Sequence, residues 1–232
     1  MPDKFPSKIK IVLFACLILL LGGSVWFNKS MIENSSDEIV PPIDAKDEVG
    51  RLIQMASENF FFRDFEKAAK NYQQAISLLK EKKKFKRVGK TYESLGDMYK
   101  FMRDIEEAEK SYRQARGQHR QIENLEGEAH ALKKTGDLYM ERGQFQPALK
   151  WYQEAVAVIE KEEPSMVQGE VYELAGRAYW KNDRIDEAVT HVTRARDIFA
   201  EIKFAMGYEH MEKLIKAIQK KSPTFPPTGT NT

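Results

Sequence analysis

Four alanines, Ala68, Ala108, Ala148 and Ala188, stand forty residues apart, and a second set, Ala75, Ala115, Ala155 and Ala195, keeps the same interval. The residues around them repeat too: LGDMYKFMRDIEEAEKSYRQA at 95–115, TGDLYMERGQFQPALKWYQEA at 135–155 and AGRAYWKNDRIDEAVTHVTRA at 175–195. A more diverged copy, MASENFFFRDFEKAAKNYQQA, occupies 55–75. A fixed period of this length excludes most single-core folds. Each copy is one supersecondary unit that buries its apolar face only against the next copy. The register therefore predicts a stacked array, and such arrays present long surfaces to other proteins.

Within each copy the apolar residues fall at helical spacing in two stripes separated by a short break. In the second copy the first stripe is Tyr92, Leu95, Gly96 and Tyr99, the break lies near Arg103-Asp104, and the second stripe is Ile105, Ala108, Tyr112 and Ala115. Gly143 and Asn182-Asp183 break the third and fourth copies at equivalent places, and Pro147 sits just inside a helix start, where its missing N–H costs little. Gly96, Gly136, Gly176 and Ala56 are small enough to let the paired helices approach closely. Tyr72, Tyr112 and Tyr152 are expected to fill the space between units, with Val192 in the fourth. Ile76, Leu78 and Leu79, then Val156, Val158 and Ile159, then Ile198, Phe199 and Ile202 extend the apolar face of the second helix beyond the alanines.

This order of small, Tyr, Ala, aromatic and Ala residues resembles the tetratricopeptide repeat (TPR) family. The resemblance implies an all-α fold, a right-handed TPR-type α-solenoid of helix pairs, here behind an N-terminal transmembrane helix. The usual period is 34 residues. The longer period, and the absence of the closing proline at Lys80, Arg120, Glu160 and Ala200, imply a second helix extended by a turn or more. The expected organisation is a basic N-terminus (1–10), an anchor (11–27), a linker (28–46), four units (47–86, 87–126, 127–166 and 167–205), a capping helix (206–221) and a Pro- and Thr-rich tail (222–232). Met211, Leu214, Ile215 and Ile218 would cover the open face of the fourth unit.

Residues 11–27, IVLFACLILLLGGSVWF, carry no charge. As a helix they would span roughly 26 Å, near the bilayer's hydrocarbon thickness of about 30 Å. Lys4, Lys8 and Lys10 precede the run, whereas Glu33, Asp37 and Glu38 follow Lys29. The positive-inside rule then places the N-terminus in the cytoplasm and the repeats outside it, as a single-pass protein of a bacterial inner membrane facing the periplasm. A cleaved signal peptide ending near Gly22-Gly23-Ser24 is the alternative. Leu13-Phe14-Ala15-Cys16 fits a lipoprotein signal poorly, because Phe14 is bulky and the apolar run continues past Cys16.

Composition narrows the function. The chain has 232 residues with 37 basic and 35 acidic side chains, a formal charge of +2, which argues against a nucleic-acid partner. One cysteine excludes an internal disulfide and a cysteine-based zinc site. His119, His130, His191 and His210 are dispersed and are expected on helix surfaces; no catalytic arrangement, metal or cofactor is expected. The run KEKKKFKR at 80–87 is expected to be a solvated loop after a helix C-terminus.

In the family that these repeats resemble, the first helices of successive units line a concave groove. That resemblance places Lys90, Glu93, Asp97 and Lys100 on the groove from the second unit. Lys133, Lys134, Asp137 and Met140 follow from the third, and Glu173, Arg177 and Trp180 from the fourth. Phe60, Phe61 and Phe101 lie near the same surface. Charge mixed with aromatics suits a protein or peptide partner. The expected function is a scaffold held at the membrane by its N-terminal helix. A cytoplasm-facing adaptor and a homo-oligomer formed through the solenoid ends are the alternatives.

Overall fold

The structure is a computed structural model that describes residues 47–221. The anchor, the linker and the tail lie outside the described residues. Among the described residues no helix is long and apolar enough to cross a membrane. The described residues form nine helices: α1 (Glu48–Phe61), α2 (Phe65–Glu81), α3 (Phe85–Phe101), α4 (Ile105–Gln121), α5 (Leu125–Glu141), α6 (Phe145–Ile159), α7 (Met166–Lys181), α8 (Ile185–Glu201) and α9 (Ala205–Lys221). They pack as antiparallel pairs, α1 with α2 through α7 with α8, and each pair stacks on the next in a TPR-like solenoid.

Local chemistry sets the helix ends. Asp47, Asp64, Asp104, Asn124 and Ser165 are N-caps whose side chains accept backbone N–H groups of the first turn. Most connections are three residues long and carry one residue in the left-handed region: Arg63, Lys83, Arg103, Glu123, Gly143, Asp183 and Lys203. There the following N–H turns back to a carbonyl five residues earlier, as in Asp64 N to Asn59 O at 2.8 Å and Phe204 N to Phe199 O at 2.7 Å. Such a closure satisfies orphan helix carbonyls and stops the helix sharply. The α6–α7 connection is longer and contains Pro164; Gln168 braces it by donating to the Ile159 carbonyl at 2.8 Å.

The core follows the register. Both sets of alanines are fully buried. Gly96 and Gly136 lie under the rings of Tyr112 and Tyr152, and a Cβ at either glycine would come within 2.5 Å of the ring. Each tyrosine therefore fills the gap inside its own unit first. Tyr112 then reaches Leu138 of the next unit.

A further position governs the stacking of one unit on the next. In register it is Leu79, His119, Ile159 and Phe199, all buried on the extended second helices. The flanking residues on the neighbouring first helices change with its size. Leu79 and Ile159 have Val49 and Ala129 in register on the preceding first helix, whereas the rings of His119 and Phe199 meet Gly89 and Gly169. On the following helix Gly127 faces His119 and Gly207 faces Phe199. A planar ring is thus accommodated only where both neighbours lack a Cβ.

Helix α9 closes the far end. Met211, Leu214 and Ile218 are buried against Val192 and Phe199. Burying side chains of this size contributes roughly 2 kcal/mol each. The outer face is polar. Lys216 stands exposed where the earlier first helices carry Gly96, Gly136 and Gly176, so α9 offers no close-approach surface to another helix.

Candidate functional site on the first helices

The first helix of each pair lies beside the next, and side chains cross between them at one register. Glu93 of α3 meets His130 of α5 at 3.1 Å, and Asp97 of α3 meets Lys134 of α5 at 2.9 Å. Lys133 of α5 pairs with Glu170 of α7, and Glu173 of α7 approaches His210 of α9 at 3.6 Å. In each case the partners are 37 residues apart. Lys100 and Glu141 close the far end of the α3–α5 joint. The result is a ladder of acid–base rungs: at the 37-residue register the acid is on α3 and the base on α5, then the base on α5 and the acid on α7, and only the Lys100–Glu141 pair runs the other way.

Most of the residues expected on the groove are members of this ladder. Asp97, Lys100, Lys133, Lys134, Glu173 and Arg177 all pair with a neighbour. Arg177 also donates to Nε2 of His210 at 2.7 Å. Asp137 is half-buried and accepts the Tyr152 hydroxyl at 2.6 Å; burial raises its pKa against the opposing effect of that bond and of Lys133, Lys100 and Lys134. Asp97 accepts the Tyr112 hydroxyl at 2.7 Å in the same way. Burial, then the adjacent carboxylate, pushes both tyrosines upward, so the phenols stay protonated donors. Met140 and Trp180 are half-buried beside the core. Lys90 is exposed.

Glu93 corrects the sequence reading. It was expected on the open face, and it is only 8% exposed, held by two histidines that were themselves expected on helix surfaces. His119, 1% exposed, lies between Gly89 and Gly127. Asn124 fixes its tautomer. The Asn124 Oδ1 accepts the Gly127 N–H at 3.2 Å, so the Asn124 amide nitrogen donates to His119 Nδ1 at 3.1 Å. The remaining proton of His119 is on Nε2 and is donated to Glu93 Oε1 at 3.2 Å. His130 Nδ1–H supplies Oε2 at 3.1 Å. Burial alone would raise the Glu93 pKa, but the bonds from His119 and His130 outweigh it and hold the group at about 2. A signal for this cluster exists in the register, where a histidine at 119 interrupts Leu79, Ile159 and Phe199.

The joint between the second and third units is polar on its other side as well. Glu128 of α5, 3% exposed, accepts from Arg120 at 2.9 Å and from Arg116 at 3.3 Å, both on α4. Arg116 extends to Glu154 of α6 at 2.9 Å.

Among the described residues the first joint lacks a rung at this register. The register that pairs Glu93 with His130 places Ile53 of α1 with Lys90 of α3, and Ser57 with Ser94. Here an ion pair from Arg87 of α3 to Asp47, the N-cap of α1, at 3.2 Å ties one end of the joint, and Phe60 and Phe101, whose rings stand edge-to-face at 5.2 Å, tie the other. Among the described residues no group of three or more His, Cys, Asp or Glu side chains is placed to hold a metal ion.

Similar folds occur among solved structures. RapI in its apo form superposes with a TM-score of 0.62 at 14% identity over 75% of this chain and 64% of that one. Aspartyl phosphate phosphatase F from Bacillus subtilis gives 0.61 at 17% identity over 75% and 45%. BtubC from P. vanneervenii gives 0.54 at 17% identity over 79% and 84%. The chain thus spans less than two thirds of the first two proteins, and identities this low establish the fold alone. Among curated proteins there is no match. The family described as the MalT-like TPR region matches residues 54–205, nearly the whole repeat array and well over half of the chain, and the protein belongs to that family.

Proposed function

We propose that this protein is a membrane-anchored scaffold that holds a protein or peptide segment against the face built by its first helices. It acts without catalysis or cofactor. The segment 11–27 is the anchor and the repeats lie on the extracytoplasmic side of a bacterial inner membrane. The mechanism is positional: tethering the array to the bilayer restricts a bound segment to that surface and raises its effective concentration there. The observation that carries the binding part is the continuity of the face. Side chains from α3, α5, α7 and α9 are joined across each of these joints by polar contacts, and Lys90, Met140 and Trp180 lie among them. A surface prebuilt in this way loses little order when a partner settles on it.

The ladder also selects the experiment. Reversing Lys133 or Arg177 would set a like charge against Glu170 or Glu173 and disturb the array itself, so substitution at those positions reports stability together with binding. A photoreactive residue at Met140, in the intact protein in its own membrane, tests contact directly, with Lys150 on the second helix α6 as reference. Crosslinks at Met140 and none at Lys150 are expected; the reverse pattern would overturn the assignment of the face. A reporter fused after residue 232 tests topology. Activity only on the extracytoplasmic side is expected, and activity only in the cytoplasm would overturn it.

A further inference from the structure

Acid and base are already matched along most of the first-helix face. A charged ligand gains little there, because any rung it opens leaves a cation or an anion behind. The first joint differs. Lys90 is exposed, its register partner is Ile53, and its ammonium forms no hydrogen bond or ion pair with any described residue. Every other joint sets a carboxylate against an amine or an imidazole at that register.

Eleven residues along α3 from Lys90 stands Phe101. Eleven residues are three helical turns, so both side chains leave the same side of α3, roughly 16 Å apart. Phe101 is 55% exposed, its edge rests on Phe60, and the Arg63 guanidinium lies 5.7 Å from its ring centre. Together these give an unmatched cation at one end and an aromatic platform at the other, on the one joint among the described residues with no acid–base pair at the shared register; its ion pair, Arg87 to Asp47, lies at the start of α1.

We propose that the first joint is where the partner is read. The segment it takes is an extended peptide with an acidic side chain and, about five residues away at roughly 3.3 Å each, a large apolar side chain. This inference rests on the face being a binding site, and it names the chemistry of the occupant. The acid supplies the rung that Ile53 cannot, as a charge-assisted hydrogen bond to Lys90. The apolar side chain covers Phe101 and Phe60, which removes from water the largest exposed aromatic surface on α3. An acid is selected over a base because Lys90 meets it without competition from an internal carboxylate.

The test is selection of random twelve-residue peptides displayed on phage, using the full-length protein in lipid nanodiscs. The expected outcome is enrichment of Asp or Glu with Phe, Trp, Leu or Met four to six positions away. Selection on Lys90→Glu should replace the acid by Lys or Arg, a change that loss of structure would not produce. Ile53→Glu gives Lys90 an internal partner and should weaken the selected peptides at least ten-fold while thermal melting stays close to that of the parent. An absence of acid bias, an empty selection, or an unchanged profile on Lys90→Glu would overturn the proposal. Loss of the selected peptides on Met140→Lys but not on Lys90→Glu would leave the face as a binding site and reject the first joint as its reader. Peptides indifferent to both substitutions would reject the face as well.

Discussion

The first and second joints of the array share a backbone plan and differ in almost everything that fills it. In register the first joint carries Val49, Ile53 and Leu79, and the second carries Gly89, Glu93 and His119. Val49 and Leu79 are closed to water by aliphatic packing with Ile53 half-buried beside them, whereas the second set is closed by a hydrogen-bonded carboxylate between two imidazoles. The fourth joint shows which part of the difference is steric. Phe199 also lies between two glycines, although it makes no polar contact of the His119 kind. Glycine therefore follows the ring, and Glu93 follows the polarity of the ring. The difference has a consequence on the face: the polar joint satisfies its own charges, and the aliphatic joint leaves Lys90 unmatched.

The largest effect is expected from moving one residue of the first joint into the second. Gly89→Val would put a Cβ about 2.5 Å from the His119 ring, with two methyl groups beyond it. Overpacking of this kind costs about 3 kcal/mol, which is roughly a 6–12 °C fall in Tm for an array of this size. The full set, Gly89→Val with Glu93→Ile and His119→Leu, reproduces the first joint and should recover most of that loss in the same thermal melt. A triple variant no better than the single one would mean that the two joints are not interchangeable fillings of one plan.

Acid distinguishes the joints next. The Glu93 carboxyl has an ordinary pKa of 4.5 when unfolded and about 2 when folded. A depressed folded pKa stabilises the fold fully above 4.5, and the stabilisation is lost as pH falls from 4.5 towards 2. The amount is on the order of 3 kcal/mol. Denaturant titrations between pH 6 and pH 2 should show this loss in the parent and a shallower slope in Glu93→Gln. Equal slopes would place the acid sensitivity elsewhere.

Surface rungs matter less. Lys134→Met removes the partner of Asp97, whose side chain is 48% exposed, and should cost about 0.5 kcal/mol at low salt and less at 0.5 M. The smallest change should have the opposite sign. Gly117 on α4 has nothing within 4 Å of an added Cβ, so Gly117→Ala should raise stability by about 0.5–1 kcal/mol through helix propensity alone. A destabilising Gly117→Ala would show that the cost at Gly89 is not a matter of contact.

How much of this was legible in the chain depends on whether one residue type has one structural use. Alanines, glycines and tyrosines in register reveal the helix pairs, because only small residues permit the close approach and only a ring fills what remains. The burial of Glu93 is hidden from the sequence for a related reason. Helical phase places residue 93 beside the face, but phase does not say whether a neighbouring helix covers it, and His119 and His130 come from helices 26 and 37 residues away. Asp97 and Asp137 share a register position and the same bond from a tyrosine hydroxyl and still differ, the first exposed and paired with Lys134, the second half-buried. Helical phase sorts the groove charges one helix at a time, whereas their pairing is a property of two adjacent helices. The 37-residue rung register is visible in the sequence only once the stagger between those helices is known.

The claim that the first helices form the binding face is tested most directly by hydrogen–deuterium exchange on the intact protein in nanodiscs, with and without a peptide selected on it. Slowed exchange is expected in α1 and α3, with smaller protection in α5 and α7 and none in the second helices α2, α4, α6 and α8. Protection confined to the second helices, with α1 and α3 unchanged, would contradict the account.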